Sequence, residues 1–341
     1  MLRFFPFKLY YIVEASSYER VFSPLMDLNL PFEVKTIRLY KIKNRYLKQL
    51  RRLLISIRPR SLIVCCTAGR FIKPIGGYRI QIFHAPASFG ASWDDRYLSY
   101  FDVICPATFY QETQVREMTN EKICLPVGLP YLDGIKGTEF ESIQYDLCYA
   151  PTYHRDISSI FEFLDVLMKF CIANKLKLLI RLHPFLYDKD NEVRSGGIDW
   201  KTRILEKSGT GLITLDVAEG FSNVMKCRAV ITDTSGLAFE YSALTGRPIG
   251  FVGTKLKVPL TSVNKASAGQ DYNKVPEISS RGKIGPIIET YTPAALTTFL
   301  YSLMTDRWKE PRTEFFENYI INVGHAKSAF EDMLIVLTKG T

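Results

Sequence analysis

The chain has no run of about 18 apolar residues, the length a membrane-spanning helix needs. It has no Cys-x-x-Cys pair and no Cys/His cluster, which excludes the usual zinc and dithiol-redox motifs. Its seven cysteines are odd in number and irregularly spaced. Cys65, Cys66, Cys105 and Cys148 lie inside apolar runs, as expected of reduced, buried thiols in a cytoplasmic protein. There is no internal repeat and no low-complexity tract. The single Gly-x-Gly, in SGTGLIT, lacks a third glycine and precedes a strand pattern, so it is no dinucleotide fingerprint. The apolar start MLRFFPFKLYYIVEASSYE is interrupted by Pro6 and Lys8, and it reads as a first strand rather than a signal peptide. Histidine is scarce, with four in all.

What is present is an ordinary globular composition. The 341 residues are 47% hydrophobic and 23% charged, enough for two domains with separate cores. The net charge of +9 is unevenly placed: from Lys35 to Arg60 there are many Lys and Arg and no acid. In that segment Leu47, Leu50, Leu53, Leu54 and Ile57 fall on one helical face. The simplest expectation is a core helix with a solvated basic face. The alternative is docking on an anionic membrane surface or a polyanionic substrate. Aromatic residues are not interleaved with the cations as a base-stacking platform requires, so a nucleic-acid partner is not expected.

Strand-like and helix-like segments alternate. FKLYYIV, PFEVKTIRLY, SLIVCC, YRIQIFH and DVICP read as strands, with helices near 16–27, 44–57 and 108–118. LPVGLPYLDGIKGTEFE is rich in turn formers and reads as a linker. A second alternation runs through YDLCYAP, KLKLLIRLHP, GLITLD, RAVITDTS and PIGFV. Residues 254–290 are irregular and read as a loop over a site, and SAFEDMLIVL reads as a closing helix. The expected fold is α/β: two Rossmann-like domains facing across a cleft, at 1–135 and 136–320, with 321–341 closing the chain.

In open parallel sheets, ligands bind where the strands end. Asp233-Thr234-Ser235-Gly236 follows the strand RAVIT and opens a helix that runs from Leu237 to Leu244 and stops at Gly246. Free N–H groups, two hydroxyls and a glycine there can seat a phosphate. The same residues would also serve as a plain N-cap. His183 ends KLLIRLHPF, where Pro184 fixes the direction of exit. His84 ends YRIQIFH and is followed by small residues. Two histidines at equivalent strand ends could divide labour, one taking a proton from an acceptor hydroxyl and the other stabilising a departing phosphate. Pro151 and Thr152 follow the strand YDLCYA, and His154 reads as exposed.

YAPTYHRD, RLHP, ITDTSGLAFEYSALTGRPIGF and GHAKSAFEDML, in that order, resemble motifs of the CDP-glycerol glycerophosphotransferases of teichoic-acid and capsule synthesis. QIFHAP and VGLPYLD resemble two further motifs of that family, so the resemblance covers roughly 78 to 335. It implies a GT-B fold with the donor nucleotide in the C-terminal domain. It also implies that His84 is the general base and that His183, Thr234 and Ser235 contact the donor phosphates. The expected donor-binding set is Thr152, Arg181, Pro184, Thr234, Ser235, Gly236 and Glu240. HAPASFG lacks the family's Gly-Thr, TSG replaces Tyr-Ser-Ser, and His325 precedes Ala-Lys-Ser. These departures keep a CMP-sugar donor of sialic acid or Kdo type open, and the missing Gly-Thr favours a non-catalytic nucleotide-binding protein. A third option is an epimerase-like enzyme acting on a UDP-sugar, for which Glu240 and Asp216 could serve though nothing selects them. The implied partners are a cytidine nucleotide donor and a polysaccharide or lipid-linked acceptor, at the inner face of the cell membrane. Asp188-Lys189-Asp190 and Asp94-Asp95 follow no strand pattern, so no metal site and no cofactor beyond the donor are expected.

Overall fold

The computed structural model describes residues 6–67, 70–86, 95–119, 121–136, 142–153, 155–218, 220–253 and 275–339. They form two units, Met1–Thr138 with Asn318–Thr341, and Glu139–Glu317. His154, Asp94 and most of the expected 254–290 loop lie outside the described residues.

The first unit is built on six parallel strands: β1 (Lys8–Val13), β2 (Glu33–Arg38), β3 (Ser61–Cys65), β4 (Tyr78–Ile82), β5 (Val103–Cys105) and β6 (Ile123–Cys124). Their order is β2-β1-β3-β4-β5-β6. The unbroken apolar runs LYYIV and LIVC are buried along their length, as inner parallel strands require. β2, at the edge, keeps exposed positions at Glu33 and Lys35. The expected helix over 16–27 is present as three short consecutive helical pieces, a 3-10 turn at Ser16–Tyr18, an α-helical turn at Glu19–Phe22 and a 3-10 turn at Ser23–Leu25. Pro24 has no N–H to continue a helix.

The turn-rich stretch after β6 does not simply link domains. Gly128 has φ +93°, and a Cβ there would stand 2.3 Å from the Ile321 carbonyl oxygen, so the returning chain passes only because this residue is glycine. Asp133, in the helix Pro130–Lys136, accepts a 2.7 Å hydrogen bond from the Lys327 N–H. That bond caps the closing helix Ala326–Lys339, which therefore belongs to the first unit.

The second unit repeats the plan with β7 (Tyr145–Ala150), β8 (Leu178–Ile180), β9 (Ile213–Leu215), β10 (Cys227–Thr232), β11 (Ile249–Val252) and β12 (Ile287–Ile288), all parallel, in the order β12-β11-β10-β7-β8-β9. One side of the sheet packs on Phe163, Leu164, Leu167 and Met168 of the helix Ile160–Ala173 and on Phe299 and Leu303 of the helix Pro293–Thr305. The helix Gly236–Thr245 ends at Gly246 in the left-handed conformation. The buried Arg312 holds the Gly246 carbonyl and pairs with Asp306. Arg247 holds the Met225 and Cys227 carbonyls, a structural role.

One expectation is overturned. The leucine face of the helix Arg45–Ser56 does not enter the core: Leu47, Leu50, Leu53, Leu54 and Ile57 are all exposed. The half-buried side carries Lys48 and Arg52 instead, with Ile55 buried. Arg52 is held there by a 2.7 Å ion pair with Glu14, at the end of β1.

Candidate functional site

In each sheet the order in which strands are added reverses once, between β1 and β3 in the first unit and between β7 and β10 in the second. Open parallel sheets bind ligands at the strand ends flanking such a reversal. In the second unit those ends carry Pro151-Thr152-Tyr153, after β7, and Asp233-Thr234-Ser235-Gly236, after β10.

Asp233 joins the two ends. It is fully buried, and one carboxylate oxygen accepts from the N–H groups of Thr152 (2.7 Å) and Thr234 (2.6 Å). The other accepts from the Ser159 N–H and hydroxyl, both at 2.8 Å. The Asp233 carbonyl accepts from Arg281 at 2.6 Å, and the Thr232 hydroxyl donates to the Ala150 carbonyl at 2.8 Å. The carboxylate is consumed by protein donors and acts as a staple. Its effect is to fix Thr152 beside Thr234 and Ser235.

Ser235 occupies the N-cap of the helix Gly236–Thr245 by backbone conformation, yet its side chain makes no cap hydrogen bond. The hydroxyl is therefore not used by its own helix, as a plain N-cap would use it. No acid lies in the first turn of the helix itself, and the nearby Asp233 carboxylate is already surrounded by protein donors. Thr234, Ser235 and Gly236 are half-buried, while Glu240 is buried one turn further along the helix.

His183 follows β8, the neighbour of β7. Pro184 starts a 3-10 turn after it, and the Phe185 N–H donates to His183 Nδ1 at 3.2 Å. An accepting Nδ1 in the neutral ring places the proton on Nε2, which makes Nε2–H a donor. The ring lies 4.3 Å from the Tyr153 ring, at 33°, and 5.2 Å from Phe185. Tyr153, which sequence reasoning passed over, thus brings the β7 end against His183. Arg181 is engaged elsewhere. It pairs with the buried Asp216 at 2.9 Å and donates to the Ala218 carbonyl. Asp216 also accepts from the Ala218 N–H and from Asn223. Both residues therefore shape the loop after β9.

In the first unit His84 follows β4, the neighbour of β3. Its Nδ1 lies 3.1 Å from the Cys66 carbonyl oxygen, which can only accept, so Nδ1 carries the proton and Nε2 the lone pair. The Tyr18 ring packs 5.0 Å away. Burial, and secondarily the Arg20 charge, pull the imidazole below its ordinary value, against the hydrogen bond to Cys66. The ring is neutral at neutral pH. The segment after it is fixed at two carbonyls: Gln111 donates to Ala85 at 3.3 Å and Tyr319 to Pro86 at 2.6 Å. The two histidines thus carry opposite tautomers, an accepting Nε2 on His84 and a donating Nε2 on His183. Among the described residues no group of three His, Cys, Asp or Glu side chains could hold a metal ion.

No protein-family model matches the sequence, and no curated protein matches it. Solved structures do. The wall teichoic acid polymerase TagF superposes with a TM-score of 0.61 at 16% identity, covering 98% of this chain and 88% of that one. An asparagine-for-histidine variant of TagF soaked with CDPG matches at 0.57 and 14%, over 98% and 89%. The UDP-GlcNAc 2-epimerase of Methanocaldococcus jannaschii, in complex with UDP-GlcNAc and UDP, matches at 0.52 and 12%, over 97% and 99%. The fold is of the GT-B type. At these identities the likeness is one of fold, and the GT-B chain's own strand ends must supply the chemistry.

Proposed function

We propose that this chain is a GT-B transferase that moves glycerol phosphate, or a similar polyol phosphate, from a CDP-alcohol to a hydroxyl of a cell-surface glycan or its lipid-linked precursor. The observation that carries this reading is the pair of histidines at equivalent strand ends, whose hydrogen-bond neighbours assign them opposite tautomers. A lone pair on His84 Nε2 suits the acceptor proton, and a proton on His183 Nε2 suits a phosphate oxygen. The likeness to TagF and the order of the sequence motifs support the same reading.

In this scheme the acceptor oxygen attacks the β-phosphorus of the donor and His84 takes its proton. The bond from that phosphorus to the bridging oxygen breaks, and CMP leaves with the bonding pair. His183 Nε2–H, the Thr234 and Ser235 hydroxyls and the start of the helix Gly236–Thr245 stabilise the phosphates. Asp233, through Thr152 and Thr234, holds this seat in place. Catalysis is then positioning and charge stabilisation, as in other phosphoryl transfers.

Two results test this reading. Cytidine diphosphate at 100 times its dissociation constant is expected to stabilise the chain by about 2.7 kcal/mol, with uridine and guanosine diphosphates well behind at equal concentration. Equal shifts from all three, read by thermal melting, would discard the cytidine assignment. His183→Ala is expected to cost about 1.5–3 kcal/mol of CDP binding, tenfold or more in Kd, with an unchanged melting temperature. An unchanged Kd measured by calorimetry would return His183 to a purely structural role.

A further inference from the structure

The helix Arg45–Ser56 is packed with its apolar side outward, and that side does not end with the helix. Leu47 and Leu50 are 56% and 50% exposed, Leu54 and Ile57 50% and 58%, and Ile72 and Ile75 both 62%. The Ile72 N–H donates to the Ser56 hydroxyl at 3.2 Å, which ties the 70–75 segment to the helix. Between them runs a groove of about 320 Å³ lined by Leu50, Leu53, Arg70 and Ile72. The orientation is enforced by the Arg52–Glu14 ion pair, both of whose side chains are less than one-fifth exposed, and by Arg52 lying 6.0 Å over the Phe71 ring. A contiguous apolar face of this kind marks an interaction surface.

Charge selects the occupant. No Asp or Glu occurs between Glu33 and Asp94, while Lys43, Arg45 and Arg51 are exposed around the leucines. A second copy would bring the same cations against themselves, because a two-fold interface uses one patch on both subunits and this patch holds no acid to pair with them. An anionic lipid surface answers both features, taking apolar side chains below its headgroups and cations at its phosphates. We propose that this face docks the first unit on an anionic bilayer, with Leu47, Leu50, Leu54 and Ile57 entering the acyl boundary and Lys43, Arg45 and Arg51 meeting the headgroups. Among the described residues no helix is long and apolar enough to cross a membrane, so the contact is one of lying on the surface.

The test is co-sedimentation of the full chain with phosphatidylglycerol-rich vesicles and with pure phosphatidylcholine vesicles, beside its oligomeric state by light scattering. The parent chain is expected to bind the anionic vesicles and not the neutral ones. Leu47→Ser/Leu50→Ser/Leu54→Ser is expected to lower the anionic partition coefficient at least tenfold with the melting temperature kept, since all three side chains are at least half exposed. Arg45→Gln/Arg51→Gln is expected to lower it by about tenfold to thirtyfold. Tyr301→Ser/Val336→Ser, at exposed apolar positions elsewhere, is expected to leave it unchanged. Failure of the parent to bind, equal binding to both vesicle types, or parent-like binding by the leucine variant overturns the proposal. A concentration-dependent dimer that the leucine variant abolishes assigns the face to a second copy and overturns it equally.

Discussion

Replacing His84 with alanine is expected to lower glycerol phosphate transfer from CDP-glycerol by about a hundredfold to ten-thousandfold, the range for losing a general base. CDP affinity is expected to stay within about twofold, because the proposed nucleotide seat lies at the ends of β7, β8 and β10 of the second unit and His84 follows β4 of the first. The pH profile adds an independent signature. Burial and the Arg20 charge hold the imidazole below its ordinary value of 6.5, and a base at this position must act as the neutral ring. The acid limb of kcat/KM should therefore have its midpoint below 6.5, with a plateau through neutral pH. The same shift has a stability counterpart. The unfolded chain binds the proton more readily, so the contribution of His84 to stability is complete above 6.5 and is lost as pH falls through the lower folded value. His84→Gln retains size and polarity without a titrating nitrogen, and should show the rate loss with no acid limb from this residue. An active His84→Ala enzyme with an unaltered pH profile would remove the base assignment.

The fold was legible because central parallel strands are written as unbroken apolar runs. SLIVCC, YDLCYAP and RAVIT could be little else, and they became β3, β7 and β10. The two-residue strands β6 and β12 leave no such trace. KLKLLIRLHP suggested a longer strand than Leu178–Ile180. The Arg181 side chain there is bound to Asp216, an interaction 35 residues away in sequence. The helix over 44–57 was visible from its period, but period alone does not say which side faces inward. That was decided by Glu14, 38 residues earlier, which draws Arg52 in and turns the leucines out.

At the candidate site, the sequence places His84, His183 and Thr234–Gly236 at strand ends. It does not give strand order, so it cannot show that the ends of β7 and β10 flank the reversal of the second sheet. Nor does it give the tautomers, which rest on the Cys66 carbonyl beside one imidazole and the Phe185 N–H beside the other. Asp233 is the plainest case. Beside Thr234 and Ser235 it reads as one more polar group at a helix mouth, whereas its partners Thr152 and Ser159 lie 81 and 74 residues away.

Those distant partners make Asp233→Ala the substitution with the largest expected effect on stability. The carboxylate is fully buried and accepts four hydrogen bonds, from the N–H groups of Thr152, Ser159 and Thr234 and from the Ser159 hydroxyl. Alanine removes every acceptor at once and leaves the donors facing a cavity. The Ser159 hydroxyl keeps a neighbour in Tyr149 at 2.7 Å, so the cost falls mainly on the three backbone N–H groups. At about 1–3 kcal/mol for each unsatisfied buried donor, offset by water entering the gap, the expected loss is about 3–5 kcal/mol. Asn keeps one accepting oxygen and turns the other position into a donor aimed at the Ser159 N–H, so Asp233→Asn should recover only part of that loss. Because the same bonds hold Thr152 beside Thr234, CDP binding should weaken at least tenfold in Asp233→Asn even at a temperature where the variant is fully folded. Urea unfolding gives the first quantity and calorimetry the second. A urea midpoint for Asp233→Ala equal to the parent's would show that the β7 and β10 ends are held together by something other than this carboxylate.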